Sequence, residues 1–173
     1  MFKSIMVAVD GSDHARKAVE MASDLAKLHG AKLEIFHVVN FQVPENLGHM
    51  VEVEHLVEPE DPRGSNPPNV PAEVAAALHP GPSAEHRWRV ANAVGEQILN
   101  SARETAREHG VKDIHTDSGS GDPAHRILDH AKRCKADALV LGSRGLGELK
   151  GLMLGSVSHK VLQLAECTCI AVK

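Results

Sequence analysis

Between Leu141 and Ser158 the chain reads Leu-Gly-Ser-Arg-Gly-Leu-Gly-Glu-Leu-Lys-Gly-Leu-Met-Leu-Gly-Ser-Val-Ser. The apolar run Ala138 to Leu141 precedes this stretch, and an amphipathic segment carrying Val157, Val161, Leu162 and Ala165 follows it. The order is therefore strand, glycine loop, helix. Its chemistry is anion binding. Gly142 and Gly145 can take backbone angles closed to other residues and put no Cβ in the way of a bound group. Gly155-Ser156 opens the helix, where several N–H groups lack an intrahelical partner. Those donors, the positive end of the helix dipole and the hydroxyls of Ser156 and Ser158 together make a seat for phosphate. The competing reading is a flexible connection that holds no ligand.

The spacing excludes two common phosphate loops. No Lys-Ser or Lys-Thr follows a glycine, so the stretch is not G-x-x-x-x-G-K-[ST]. Lys150 stands where G-x-G-x-x-G needs its third glycine after Gly145-Leu146-Gly147. A second reactive position is Asp10, at the end of the apolar run Ile5 to Val9. A carboxylate there could accept hydrogen bonds from a ribose or an adenine amino group; the alternative is a turn or capping aspartate. Cys167-x-Cys169 has the look of a metal or redox pair. In a strand, however, i and i+2 share a face, and no second pair completes a site, so these read as small apolar strand residues. His125 and His130 are five apart and off a common helix face. G-x-S-x-G is absent, so Gly119-Ser120-Gly121 is not a nucleophile elbow.

The elements that must position these groups alternate. The 173 residues suffice for one domain with a substantial core. Ile5 to Val9 is a β-branched apolar run suited to a strand buried on both faces. Ser12 caps a helix with Asp13 in its first turn, Ala15, Ala18, Val19, Ala22, Leu25 and Ala26 on one face, and Gly30 as terminator. Leu33 to Val39 is the second strand. Glu85 to His109 is the longest helical pattern, with Trp88 packing at its start. Ile114 to Ser118 is a third strand; Asp122 and Pro123 then open a helix as N-cap and first residue. Ala138 to Leu141, a helix Ser156 to Ala165 and a strand Cys167 to Val172 complete the series. Right-handed crossovers make the strands parallel. The expected fold is a five-stranded doubly wound α/β sheet of order 3-2-1-4-5, with ligands at the carboxyl ends of its strands.

Residues 41–84 break this alternation. They hold eight of the nine prolines, together with His49, His55 and His79. We read the segment as an insertion after strand two, with a short helix over Gly48 to Val57, folded over the binding edge as a lid or partly disordered. The histidines lack zinc spacing.

Totals exclude several classes. A net charge of −4 gives no basic field for nucleic acid. Three Phe, one Trp and no Tyr leave no base-stacking platform. Three cysteines without framework spacing argue against a secreted disulfide protein. Nothing reads as a signal peptide or a membrane span, so the expected location is cytoplasmic.

Gly142-x2-Gly145-x9-Gly155-Ser156, Val9-Asp10-Gly11-Ser12 closing strand one, and Gly121-Asp122-Pro123 with Ile127 together resemble the universal stress protein family, across residues 1–173 apart from the insertion. The resemblance implies a single domain of the adenine nucleotide alpha hydrolase-like type that binds ATP. It places Ala8 and Asp10 beside the adenosine, and the backbone of Val38 against adenine. Leu141 and Gly142 approach the ribose and α-phosphate, Arg144 and Gly145 the phosphates, and Gly155, Ser156, Val157 and Ser158 hold the phosphate chain. Position 158 carries Ser where the family often has Thr. Mg²⁺ would accompany the triphosphate through its own oxygens and water. The resemblance also implies a homodimer through the C-terminal strand, residues 167–172, and a regulatory partner protein that the residues do not identify. With no catalytic base, arginine finger or second acid at the loop, the expectation is a nucleotide-binding sensor, not an enzyme, with room for slow hydrolysis. AMP or cyclic AMP are alternative ligands. A nucleotide-free adaptor or structural dimer module is the alternative from another class.

Overall fold

The computed structural model describes residues 2–39, 84–146 and 154–173. Strand β1 (Ser4–Val9) is buried at every position. Its side chains divide between two cores. Ile5, Val7 and Val9 enter one with Ala15, Ala18, Val19, Ala22, Leu33, Ile35, Ala102 and Val140. Met6 and Ala8 enter the other with Phe36, Ala124, Ile127, Leu139, Leu141 and Val161. Successive strand residues point to opposite faces, so an unbroken apolar run requires cover on both sides.

That cover comes from α1 (Asp13–His29) and α2 (Ala84–Glu108) on the first face and α3 (Pro123–Arg133) and α4 (Ser156–Leu164) on the second. Strands β2 (Lys32–Val39), β3 (Ile114–Ser120), β4 (Ala138–Gly142) and β5 (Thr168–Val172) complete a parallel sheet of order β3-β2-β1-β4-β5. The expected order is found. The connections from β1 and β4 leave for opposite faces, the arrangement that in open α/β sheets puts ligands at the carboxyl ends of the strands.

Local punctuation follows the residues that signalled it. Ser12 caps α1 by accepting the Ala15 amide, and Gly30 ends it at φ 62°. Asp122 caps α3 through the His125 amide, with Pro123 opening the helix. Strand β3 runs on through Gly119 and Ser120, beyond the Ser118 end expected from sequence, because both residues still pair with Val38 and Val39. Trp88 is exposed, not packed as expected; it lies off the buried stripe of Val90, Ala91 and Val94. Cys167 and Cys169 pack against the second core, and burial pushes the Cys169 thiol up to about 11.

The chain divides into two compact units, Met1–Val39 with Gly95–Lys173, and Asn40–Val94. The insertion read at 41–84, its short helix and its histidines lie outside the described residues apart from Ala84, which begins α2. Among the described residues, no helix is long and apolar enough to cross a membrane.

Two buried histidines give the fold a pH dependence. His37 is 6% exposed, its Nδ1 2.9 Å from the Val9 carbonyl oxygen. His130 is 5% exposed and stacks on Phe36 at 4.2 Å between ring centroids. Burial holds both imidazoles below the usual histidine range; the bond to the Val9 carbonyl and then the Asp10 carboxylate oppose this at His37, and Asp117 opposes it at His130. Above about pH 6.5 neither the folded nor the unfolded chain protonates them. Below it the unfolded chain takes up protons that the folded chain refuses, so stability falls as pH drops from 6.5 toward the folded values. Urea midpoints measured between pH 8 and pH 5 should decline over the acid half of that range, and His130→Gln should flatten the decline.

Candidate functional site

The carboxyl ends of β1, β2 and β4 form one edge. Ala8 lies between Phe36 and Leu141 in the register, and Val38 pairs with Gly119 one residue beyond His37. Asp10 leaves β1 half-buried. Its Oδ1 accepts the Ser12 amide at 3.0 Å, and Gly11 between them sits at φ 84°, a conformation that favours glycine. The Asp10 carboxylate is thus held by its own turn and aimed away from the first core.

What it is aimed at is the glycine loop. A Cβ on Gly145 would collide with Asp10 Oδ2. A Cβ on Gly142 would lie 2.9 Å from Ala15 N and His14 C, both backbone atoms of the first turn of α1. None of Gly142, Gly145 and Gly155 takes a positive φ. Here the structure corrects the expectation from sequence. Gly142 and Gly145 are needed for space, and the space is taken by α1 and by Asp10. Ser12 joins the same contact, its hydroxyl donating to the Arg144 carbonyl at 3.5 Å.

From β4 the chain turns through Ser143, which is 1% exposed. Its amide donates to the Val172 carbonyl at 2.6 Å, and its carbonyl accepts the Gly155 amide at 2.8 Å. The Gly155 amide, expected to face phosphate, is therefore already bonded. Ser158 is likewise occupied. Its buried hydroxyl donates to the Gly142 carbonyl at 2.8 Å, which pins the first turn of α4 to the end of β4.

The first turn of α4 remains. Gly155 is its N-cap at φ −73° and ψ 161°, with no side-chain cap. The amides of Ser156, Val157 and Ser158 have no intrahelical carbonyl to bond. Ser156 is exposed and Val157 half-buried against the second core. Arg144 is exposed, and its guanidinium has no ion pair among the described residues. Residues 147–153 of the loop lie outside the described residues.

The eleven residues expected to contact a ligand thus fall along one edge. Asp10, Gly142, Arg144, Gly145 and Gly155 to Ser158 lie beyond or at the carboxyl ends of β1 and β4, and Ala8, Leu141 and Val38 are each the last residue but one of their strands. Sequence reasoning missed Lys160. Its Nζ lies 3.3 Å from Asp122 Oδ1, joining α4 to the cap of α3. Nothing in the local spacing signals this pair, whose members are 38 residues apart.

A doubly wound α/β sheet with an uncapped helix start at its carboxyl edge defines the class of protein. The universal stress protein family model matches residues 1–173, and the chain belongs to that family. It is 38% identical over 176 residues to universal stress protein YxiE of Bacillus subtilis, covering 100% of both chains. It is 34% identical over 173 residues to a universal stress protein of Thermus aquaticus, again over 100% of both. Among solved structures, a universal stress protein in complex with cAMP superimposes at TM-score 0.62 and 24% identity, over 99% of this chain and 96% of that one. The universal stress protein from Archaeoglobus fulgidus in complex with dAMP gives TM-score 0.60 and 20% identity, over 99% and 98%.

Proposed function

We propose that this protein binds an adenine nucleotide, ATP in the first place, at the carboxyl ends of β1 and β4, and acts as a stress-response sensor or regulator. The observation that carries the reading is the open first turn of α4. Three amides there have no side-chain cap among the described residues, beside Arg144 and near the fixed carboxylate of Asp10. An anion at such a turn gains both the hydrogen bonds and the helix dipole. Asp10 faces the sugar end from the opposite strand. The cAMP and dAMP complexes of structural relatives support an adenine nucleotide as the ligand and keep cyclic AMP and AMP as alternatives. Mg²⁺ would ride on the triphosphate oxygens and water; among the described residues no group of three His, Cys, Asp or Glu could hold it. We further propose a single domain carrying the 41–84 insertion, a cytoplasmic location, and a homodimer through the edge strand β5 that presents the ligand state to a partner protein.

Thermal unfolding with ATP, AMP and cyclic AMP tests this. Ligand at about 100 times Kd adds roughly 2.7 kcal/mol, a rise of several degrees in Tm for a chain this size. Ser156→Asp places a carboxylate where phosphate would sit and should abolish the rise. The same charge favours the helix start in the empty protein, so loss of folding would not explain the result. An equal rise in the variant would overturn the site. No rise with any of the three nucleotides would favour the adaptor reading.

A further inference from the structure

The pair Lys160 and Asp122 lies next to the phosphate seat without forming part of it. Lys160 is one turn into α4 from Ser156, so the two share a face. Side chains on a helix lean toward its N-terminus. From this position the Lys160 stem can lean toward the first turn of α4. Its ammonium is 3.3 Å from Asp122 Oδ1, the oxygen that also accepts the His125 amide at 2.9 Å. His125 Nδ1 lies 3.6 Å from the same oxygen. The His125 amide first, and then Lys160, hold the Asp122 carboxyl below the usual carboxylate range. Asp122 thus stays charged at neutral pH and competes steadily for the ammonium.

Resting on the nucleotide reading above, we propose that Lys160 is a specificity-determining residue that reads the number of phosphates. In the empty protein it is held on Asp122. A polyphosphate at the α4 start draws the ammonium away, while an uncharged nucleoside leaves the pair intact. Asp122 sets the threshold, because the phosphate charge must outbid one carboxylate.

Calorimetric titration with ATP, AMP and adenosine tests this on the wild type, Lys160→Gln, Asp122→Asn and the double variant. Asn keeps the α3 N-cap, so Asp122→Asn removes the charge and leaves the helix start. Lys160→Gln should raise the ATP Kd about tenfold, the scale of one charge-assisted hydrogen bond, and leave adenosine unchanged. Asp122→Asn should lower the ATP Kd a few-fold, the scale of an exposed ion pair. The double variant should match Lys160→Gln. A purely structural pair would instead weaken ATP and adenosine binding equally in both single variants, and that result overturns the proposal. So does an unchanged ratio of ATP to AMP affinity in Lys160→Gln. Wild-type protein that takes up none of the three ligands would remove the nucleotide reading itself, and this inference with it.

Discussion

Replacing Phe36 with Ala is expected to lower the unfolding free energy by about 4 kcal/mol, a fall of roughly 10 °C in Tm for a chain of this length. Phe36 is 1% exposed, at the centre of β2, with Ala8 and Asp117 as its partners in the neighbouring strands. One face stacks on His130 at an interplanar angle of 15°. The ring edge reaches β3, where a Cβ on Gly119 would lie 3.1 Å from Phe36 Cζ. Removing the ring takes packing from a neighbouring strand and a helix together, and strand backbone cannot collapse far enough to refill the space. The variant should also change the pH profile. Water admitted beside His130 relieves its burial, so its share of the acid-side loss of stability should shrink. Differential scanning calorimetry at pH 7.5 and 5.5 reads both effects. A loss below about 1 kcal/mol would mean that the second core relaxes without leaving a void.

Gly142→Val is the second large effect. Its Cβ would meet Ala15 N, His14 C and His14 Cβ, each at 2.9 Å. Two of these are backbone atoms of a capped helix and have no rotamer by which to move aside. Overpacking of this kind costs about 1–3 kcal/mol and occasionally more; we expect the upper part of that range. Relief comes only by parting the start of α1 from the end of β4. That movement would disturb the Ser12 contact with Arg144 and the Ser158 bond to Gly142, both of which lie at the proposed site. If ATP binds where we propose, the stabilisation it gives should therefore vanish together with part of the intrinsic stability. Gly155→Ala is the control. Its φ is −73° and the nearest atom to an added Cβ is 3.6 Å away, so stability should stay within about 0.5 kcal/mol of wild type. Urea denaturation of the two variants side by side, with and without ATP, measures the contrast.

Much of this architecture was legible in the chain because its signals are local. Ser12, Gly30 and Asp122 mark helix ends through bonds to neighbours three or four residues away, and Pro123 through its fixed φ. Uninterrupted apolar runs at Ile5 to Val9 and Ala138 to Leu141 demand burial on both sides, and short alternation demands parallel crossovers. The site was legible as a set of positions. The tasks of several members were not, because those tasks are set by residues far off in sequence. Gly142 is emptied for α1, some 130 residues earlier, and Gly145 for Asp10. Ser158 looks from its spacing like a phosphate ligand, yet its proton goes to a carbonyl that only the folded sheet brings near. The Lys160–Asp122 pair spans two helices and leaves no periodic trace. The end of β3 was misplaced because Gly119 and Ser120 have poor strand character by themselves and are held by Val38 and Val39.

The bonds around Ser143 have a mechanical consequence. Val172 O, the Ser143 peptide groups and Gly155 N form a continuous main-chain relay from the outermost strand to the helix start. Backbone hydrogen bonds are short and directional, so the relay has little slack. A displacement of the final strand by a neighbour would be transmitted across two links to the amides of α4, and an anion pulling on those amides would tug on the sheet margin in return. The sheet margin and the helix start are thereby joined by two main-chain bonds, a link that side-chain substitutions on either element would leave in place.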